Sequence, residues 1–537
     1  MDKRVLFAFL LIGIIILLTP KYQEWVIGKP SPPSLSKSLS DKLPLLSSSG
    51  SPSQSQAIEI SRTSSVSQVQ DRDVIIENEV FISRWNTRGG VLLSWVLKAF
   101  ADGNRLRRVE LLGRGGKGFV LIANGQDFSD FYFEPTLNSV FLKKDQSQTL
   151  SWVCNLPNGT IEKRLTFYGS RYDIKVEVFF KGGISNRKCS LEWRGGIGQS
   201  ESNIADEYSH TKIVSFMGGL LQNWDIGDIK DAKFTPSGEG GWVGLRSKYF
   251  LISFVPEPVG SYSMSFHGEP LPEGGKLLNF GLTSDHTNGA WSGAFYGGPI
   301  SYPILKDYFD GELHRVMNWG WEWSRWFMEP IGIGILRVFL AIHQLVPNYG
   351  LVIILFSILV KIALYPLTHK SYEASARMQE IQPKIAALKE KFQNDQQKMN
   401  QEMMRLYKEQ GINPLGGCLP VLFQMPILFA LFNVFQNAIE LRQAPFWGWI
   451  IDLSQPEFLS IAGIQVHFLP ILMAVSMFLQ QKTSVKDPNQ KMLVYLMPIM
   501  MIFFFWTMSS GLVLYWTMFN FLSWGQQVCI EQLQKRA

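Results

Sequence analysis

The chain has 537 residues, 46% of them hydrophobic, and its 51 Lys/Arg against 45 Asp/Glu leave a formal charge of only +6. Four cysteines are too few for a disulfide scaffold. The sequence has no nucleic-acid-binding motif, no metal-ligand spacing and no GxxxxGK[ST] phosphate loop. The Gly-rich stretch Gly113 to Phe119 lacks a hydroxyl residue after its lysine and reads as a loop.

Lys3-Arg4 precede an apolar run from Val5 to Leu18 with no small-x-small cleavage site after it. This predicts an uncleaved signal anchor over 1–27 with its N-terminus in the cytoplasm. Residues 28–70, rich in Ser, Pro and Gln, read as a flexible linker. From Asp71 the pattern changes to short alternating runs: 74–85, 160–168, 172–180, 249–255 and 276–282. Turn clusters such as Arg88-Gly89-Gly90 and Pro157-Asn158-Gly159 separate them, which predicts a large β-sandwich over 71–315. Cys154 and Cys189 allow one bridge there if the domain is extracytoplasmic; buried thiols are the other reading.

Four tryptophans fall between Trp319 and Trp326, and a semi-apolar run of about 16 residues with Arg337 and His343 lies between Pro330 and Pro347. Trp enrichment suits a membrane–water boundary, so 316–347 reads as an amphipathic helix lying in the interface. The run Gly350 to Leu367 has spanning length but contains Lys361 about six residues before its end. The other long apolar runs, near 416–439, 464–481, 491–508 and 511–529, contain no Asp, Glu or Arg to pair with it. A charge at membrane depth costs roughly 2.5–3.5 kcal/mol and usually marks function. A lysine facing a hydrated groove, its counter-charge brought by the substrate, resolves the cost. Snorkelling to the interface is the bland alternative.

The loop Thr368 to Gly417 carries eight Lys/Arg and Lys482 to Lys491 carries three, whereas Leu441 to Gly463 holds only Arg442. The positive-inside rule places the basic loops in the cytoplasm. Six spans follow, with both termini cytoplasmic, the β-domain outside, a five-helix core over 348–530 and a short tail at 531–537. Within the first basic loop, Met378, Ile381, Ile385, Leu388 and Phe392, then Met399, Met403 and Leu406, have helical spacing, which predicts a hairpin over 370–411. Its basic, Met-bearing faces suit ribosomes, targeting factors or nascent chains. In the last span Trp516, Asn520, Ser523 and Gln527 share a stripe; Ser357 shares a face with Lys361, and Gln424 and Asn433 add polar groups. One such residue is ordinary interhelical glue at ~0.6 kcal/mol. Several beside an unpaired lysine favour a groove.

The segments GINPLGGCLPVLFQMPILFALF (411–432), LVKIALYPLT (359–368), QPKIAALKEKF (382–392), ELRQAPF (440–446) and SSGLVLYW (509–516) resemble the YidC-type membrane protein insertases in order and spacing. The resemblance implies an α-helical polytopic membrane protein of the bacterial inner membrane with a periplasmic β-supersandwich. It implies no enzymatic step and no cofactor. The implied activity is insertion and chaperoning of nascent membrane proteins in the lipid bilayer, alone or with the Sec translocon. The implied groove residues are Lys361, Ser357, Gln424, Leu428, Asn433, Trp516, Asn520 and Ser523. Lys361 stands where the family has arginine, and Trp516 where it has tyrosine. A secondary transporter would need midplane ion ligands and a repeated half, neither of which is found; a sugar-binding β-domain rests on fold analogy alone.

Overall fold

The computed structural model describes residues 71–536 apart from 184–187, 226–236, 240, 258–260, 271–275, 285–289, 321, 393–394, 412–418, 462 and 485–490. The expected anchor (1–27) and linker (28–70) lie outside the described residues.

Alternation of apolar and polar residues builds the first half. Asp173–Gly182 buries Ile174, Val176 and Val178 on one face and turns Lys175 and Glu177 to the other. Such strands assemble into one sheet of eleven and one of nine. Their inner faces meet through aromatic pairs such as Trp95–Phe295 and Trp193–Phe295, each 5.3 Å between ring centroids. Pairing is antiparallel except that Asp73–Glu77 lies parallel to Ser139–Phe141.

Two expectations are corrected locally. The run 74–85 is a hairpin of two strands, Asp73–Glu77 and Phe81–Asn86. Asn78 turns the chain between them: its Oδ1 accepts from Val80 N and Phe81 N at 3.0 and 2.7 Å. The Gly-rich loop is confined to 113–116, because Lys117–Ala123 is a strand. Cys154 and Cys189 are free thiols, pushed by burial up to about 11 and about 12. At the centre of the sandwich Lys163 is fully enclosed, its Nζ donating to the carbonyls of Gly89, Gly90 and Phe119 at 2.8, 3.3 and 3.1 Å.

Two short helices, α1 (Ile204–His210) and α2 (Tyr302–Leu305), and a 3-10 segment, Phe309–Val316, close the domain. The helical half follows. Helix α3 is Arg325–Leu345, 21 residues, preceded by a 3-10 turn at Glu322–Ser324, so it begins later than the expected 316–347. A proline in the second turn forfeits a single i→i−4 bond, and the Arg325–Glu329 pair at 3.0 Å, joined by His314 at 3.3 Å, holds the turn before it. Among the described residues it is the one helix long and apolar enough to cross a membrane by length and composition. Gly332 lets Trp319 lie against it; a Cβ there would meet the indole at 2.3 Å.

Helix α4 (Tyr349–Ala363) is capped by Asn348, whose side chain accepts from Leu351 N. It breaks at Leu364 and continues as α5 (Tyr365–Glu380). The expected hairpin consists of that arm, α6 (Gln382–Lys391) and α7 (Gln396–Glu409), with Ile381 and Ile385 of the apolar stripe buried. The remaining helices are α8 (Leu419–Asn437), α9 (Phe468–Ser484), α10 (Lys491–Phe505) and α11 (Ser510–Arg536). Two boundaries move. Residues 464–466, expected within a span, pair with Leu459–Ile461 as a small hairpin, because Gly463 at φ 82° turns the chain tightly. The expected tail, 531–537, continues α11 as far as Arg536.

The segment between α8 and α9 joins the two halves. Arg442 Nε donates to Glu201 Oε1 at 2.6 Å, both side chains being almost wholly enclosed. Arg442 Nη2 also reaches the carbonyls of Ala101 and Ser200 at 2.7 and 3.0 Å. Arg105 returns a bond to Ile451 O at 2.8 Å. The same segment holds the start of α11, with Ser510 N donating to Gln455 O and Ser510 Oγ to Asp452 O, each at 2.8 Å.

Candidate functional site

Helices α4, α9 and α11 pack side by side and bring polar residues from distant parts of the chain to one level. Lys361, in the last turn of α4, is 8% exposed. Its Nζ donates to Ser523 Oγ at 2.8 Å and stands 4.7 Å from the centre of the Phe519 ring. A desolvated cation over an aromatic face gains roughly 2 kcal/mol. No carboxylate among the described residues pairs with Lys361. An ammonium carries three donors, and Ser523 uses one. Ser523 in turn donates to Phe519 O at 2.7 Å, so its hydroxyl is fixed to accept from the lysine. Three residues along, Asn520 Nδ2 meets Ser476 Oγ of α9 at 3.4 Å.

Six of the eight predicted residues divide into two groups. Lys361, Ser523 and Asn520 form the polar cluster just described. Leu428, Asn433 and Trp516 line a second space nearer the β-domain, a cavity of about 790 Å3 between the outer halves of α8, α10 and α11 and the underside of the sandwich. Ser357 is buried and donates to Ile353 O at 2.7 Å, within its own helix. Gln424 is half-buried on α8 and lines neither space.

Ser476 escaped the sequence reading, although it is the single hydroxyl in an apolar stretch of α9. Phe519 escaped too, because an aromatic residue in a span reads as lipid-facing until the lysine above it is known. Arg246, which lines the outer cavity from the β-domain, carried no sequence signal.

Comparison with known proteins follows this division of the chain. Residues 73–332 match the family model described as the YidC periplasmic domain, and residues 341–537 match that of the 60Kd inner membrane protein. The "Membrane protein insertase YidC" of Prosthecochloris aestuarii is 35% identical over 86% of this chain and 83% of its own length. That of Chlorobaculum parvum is 31% identical over 99% of this chain and 94% of its own. A crystal structure of an active YidC insertase with its first transmembrane domain resolved is 17% identical, with a TM-score of 0.37 over 85% of this chain and 92% of that one.

Proposed function

The chain belongs to the YidC family of membrane protein insertases, and from that premise we propose that it inserts nascent proteins into the bacterial inner membrane and helps them fold through a groove centred on Lys361. The observation that carries the mechanism is that Lys361, held by the Ser523 hydroxyl and the Phe519 ring, meets no carboxylate among the described residues. A substrate carboxylate drawn to within 4 Å gains about 4 kcal/mol at an effective dielectric of 20. That offsets the roughly 2.5–3.5 kcal/mol needed to bring an acidic residue to mid-membrane. The substrate's apolar helix then passes sideways into lipid, gaining about 0.3–0.6 kcal/mol for each Leu or Ile. Ser523 and Asn520 sustain the polar path, and Leu428, Asn433 and Trp516 line the separate cavity at its outer end.

In the proposed arrangement the chain comprises an anchor at 1–27, a linker at 28–70, the periplasmic sandwich at 71–315, an interfacial helix within 316–347 and the insertase core at 348–530. In the proposed topology the chain crosses six times with both ends in the cytoplasm. Helix α3 lies along the outer surface, because a crossing there would put the basic loops 368–417 and 482–491 on the wrong side. Those loops, with the hairpin at 370–411, are the surface for ribosomes or targeting factors. Insertion proceeds alone or with the Sec translocon as partner.

A photoreactive residue at 361 tests the reading. It is expected to capture ribosome-bound membrane-protein chains, with adducts appearing while the translocated segment is in transit. Adducts with lipid alone, at every chain length, would remove the groove from the pathway.

A further inference from the structure

The outer cavity has a charge that the insertion mechanism does not use. Arg246 is 5% exposed and lines this cavity. Its Nε donates to Ser247 O at 3.2 Å and Nη1 to Val316 O at 2.6 Å. The other cations at the rim are neutralised: Lys212 by Asp225 at 2.9 Å and Arg325 by Glu329 at 3.0 Å. Arg246 alone meets no carboxylate among the described residues, and enclosure pushes its guanidinium down to about 10. An enclosed ion without a counter-charge costs several kcal/mol, and a guanidinium fork fits a phosphate in two-point fashion.

Polar side chains, among them Asn223, Asn318, Asn433 and Gln436, ring the cavity, and its remaining wall is apolar. Phe432, Met501, Phe505 and Leu512 line it, with Trp319 and Trp516 among the walls. Its residues on α8 run from Gln436, near the helix end, back to Leu428. Eight residues at 1.5 Å rise span about 12 Å, which is most of one leaflet of a bilayer whose hydrocarbon core is ~30 Å thick. The volume lies within the roughly 300–1,000 Å3 that encloses a medium-sized ligand. A head charge at one end, the apolar depth of one leaflet and tryptophans at the wall fit a lipid headgroup and one of its acyl chains.

We propose that this cavity holds a single anionic phospholipid of the outer leaflet, its phosphate on Arg246 and an acyl chain between α8 and α10. From the insertase reading this takes only the placement of the β-domain outside the membrane. The full chain, purified in detergent, is to be titrated with phosphatidylglycerol or phosphatidylcholine and weighed by native mass spectrometry, a measurement independent of insertion. One phosphatidylglycerol should be retained at least ten-fold more strongly than phosphatidylcholine. Arg246→Gln should erase that preference. Met501→Trp, remote from the sandwich, should lower retention of both lipids by filling the chain end, and it carries the test if Arg246→Gln does not accumulate. Equal retention of the two lipids by the native protein, or retention that Met501→Trp leaves unchanged, overturns the proposal. So does a photoreactive residue at Phe432 that captures only nascent chains, which assigns the cavity to the translocated polypeptide.

Discussion

Lys361 is held by one hydroxyl and one aromatic face, so its charge is positioned without being neutralised. That predicts a graded response. Lys361→Arg should retain insertion, Lys361→Ala should reduce it for substrates with acidic translocated segments, and Lys361→Glu should reduce it most. Partners with uncharged segments should tolerate all three. Protease protection of substrate pairs that differ only in those acidic residues measures this, and equal behaviour of both partners would leave the lysine as an anchor. Arg442 presents the opposite case, a cation whose partner is built in. Arg442→Ala strands Glu201 in an enclosed site and should cost about 3–5 kcal/mol, seen as a lower denaturation midpoint of the purified protein. Adding Glu201→Gln should recover part of that loss. Lys163 gives a pH signature. Burial holds its folded value at about 7 against an ordinary 10.5, so in that window the unfolded chain binds a proton that the folded chain has released. Stability from this group is therefore complete above 10.5 and disappears as the pH falls through about 7. At 1.36 kcal/mol per unit, the native protein should gain about 2 kcal/mol relative to Lys163→Met between pH 7 and 9. Urea titrations followed by tryptophan fluorescence would show it, and parallel curves would refute it.

At the scale of elements, strands and hairpin were readable where a repeat of two or of three to four residues decided the matter. Gly159–Tyr168 and Asp173–Gly182 appear within two residues of the alternating runs that predicted them. The misread elements are those in which one residue overrode the pattern. Asn78 divided a strand, and Gly463 turned an apolar run into a hairpin. The site was legible as a list and not as a geometry. Lys361 and its stripe could be named, but Ser523 lies 162 positions away, and no spacing rule reaches that far. The side of the membrane proposed for each loop follows from charge and is testable at exposed positions. A cysteine at Met404 should react only with membrane-permeant reagents in intact cells, and one at Ile451 should react with impermeant ones. Exchange of the two patterns would require α3 to cross the bilayer.

For the whole molecule, the sequence showed two halves of different character and missed the joint between them, because its main contact pairs residues 241 apart. Removing 71–300 takes away Glu201 and the carbonyls at Ala101 and Ser200 together, so Arg442 is left facing water and not an orphaned carboxylate. Such a truncation, with a linker retained, should still complement an insertase-depleted strain. Loss of growth with the truncated protein stably in the membrane would show that the sandwich takes part in insertion.

The joint has a mechanical consequence. Residues 442–455 are fastened at one end to the sandwich through Arg442 and at the other to the first turn of α11 through Gln455 and Asp452. The outer domain is thus linked to the last helix by one short bonded segment. A tilt of the sandwich carried through these bonds would displace the outer end of α11, and with it Trp516, Asn520 and Ser523 relative to the lysine.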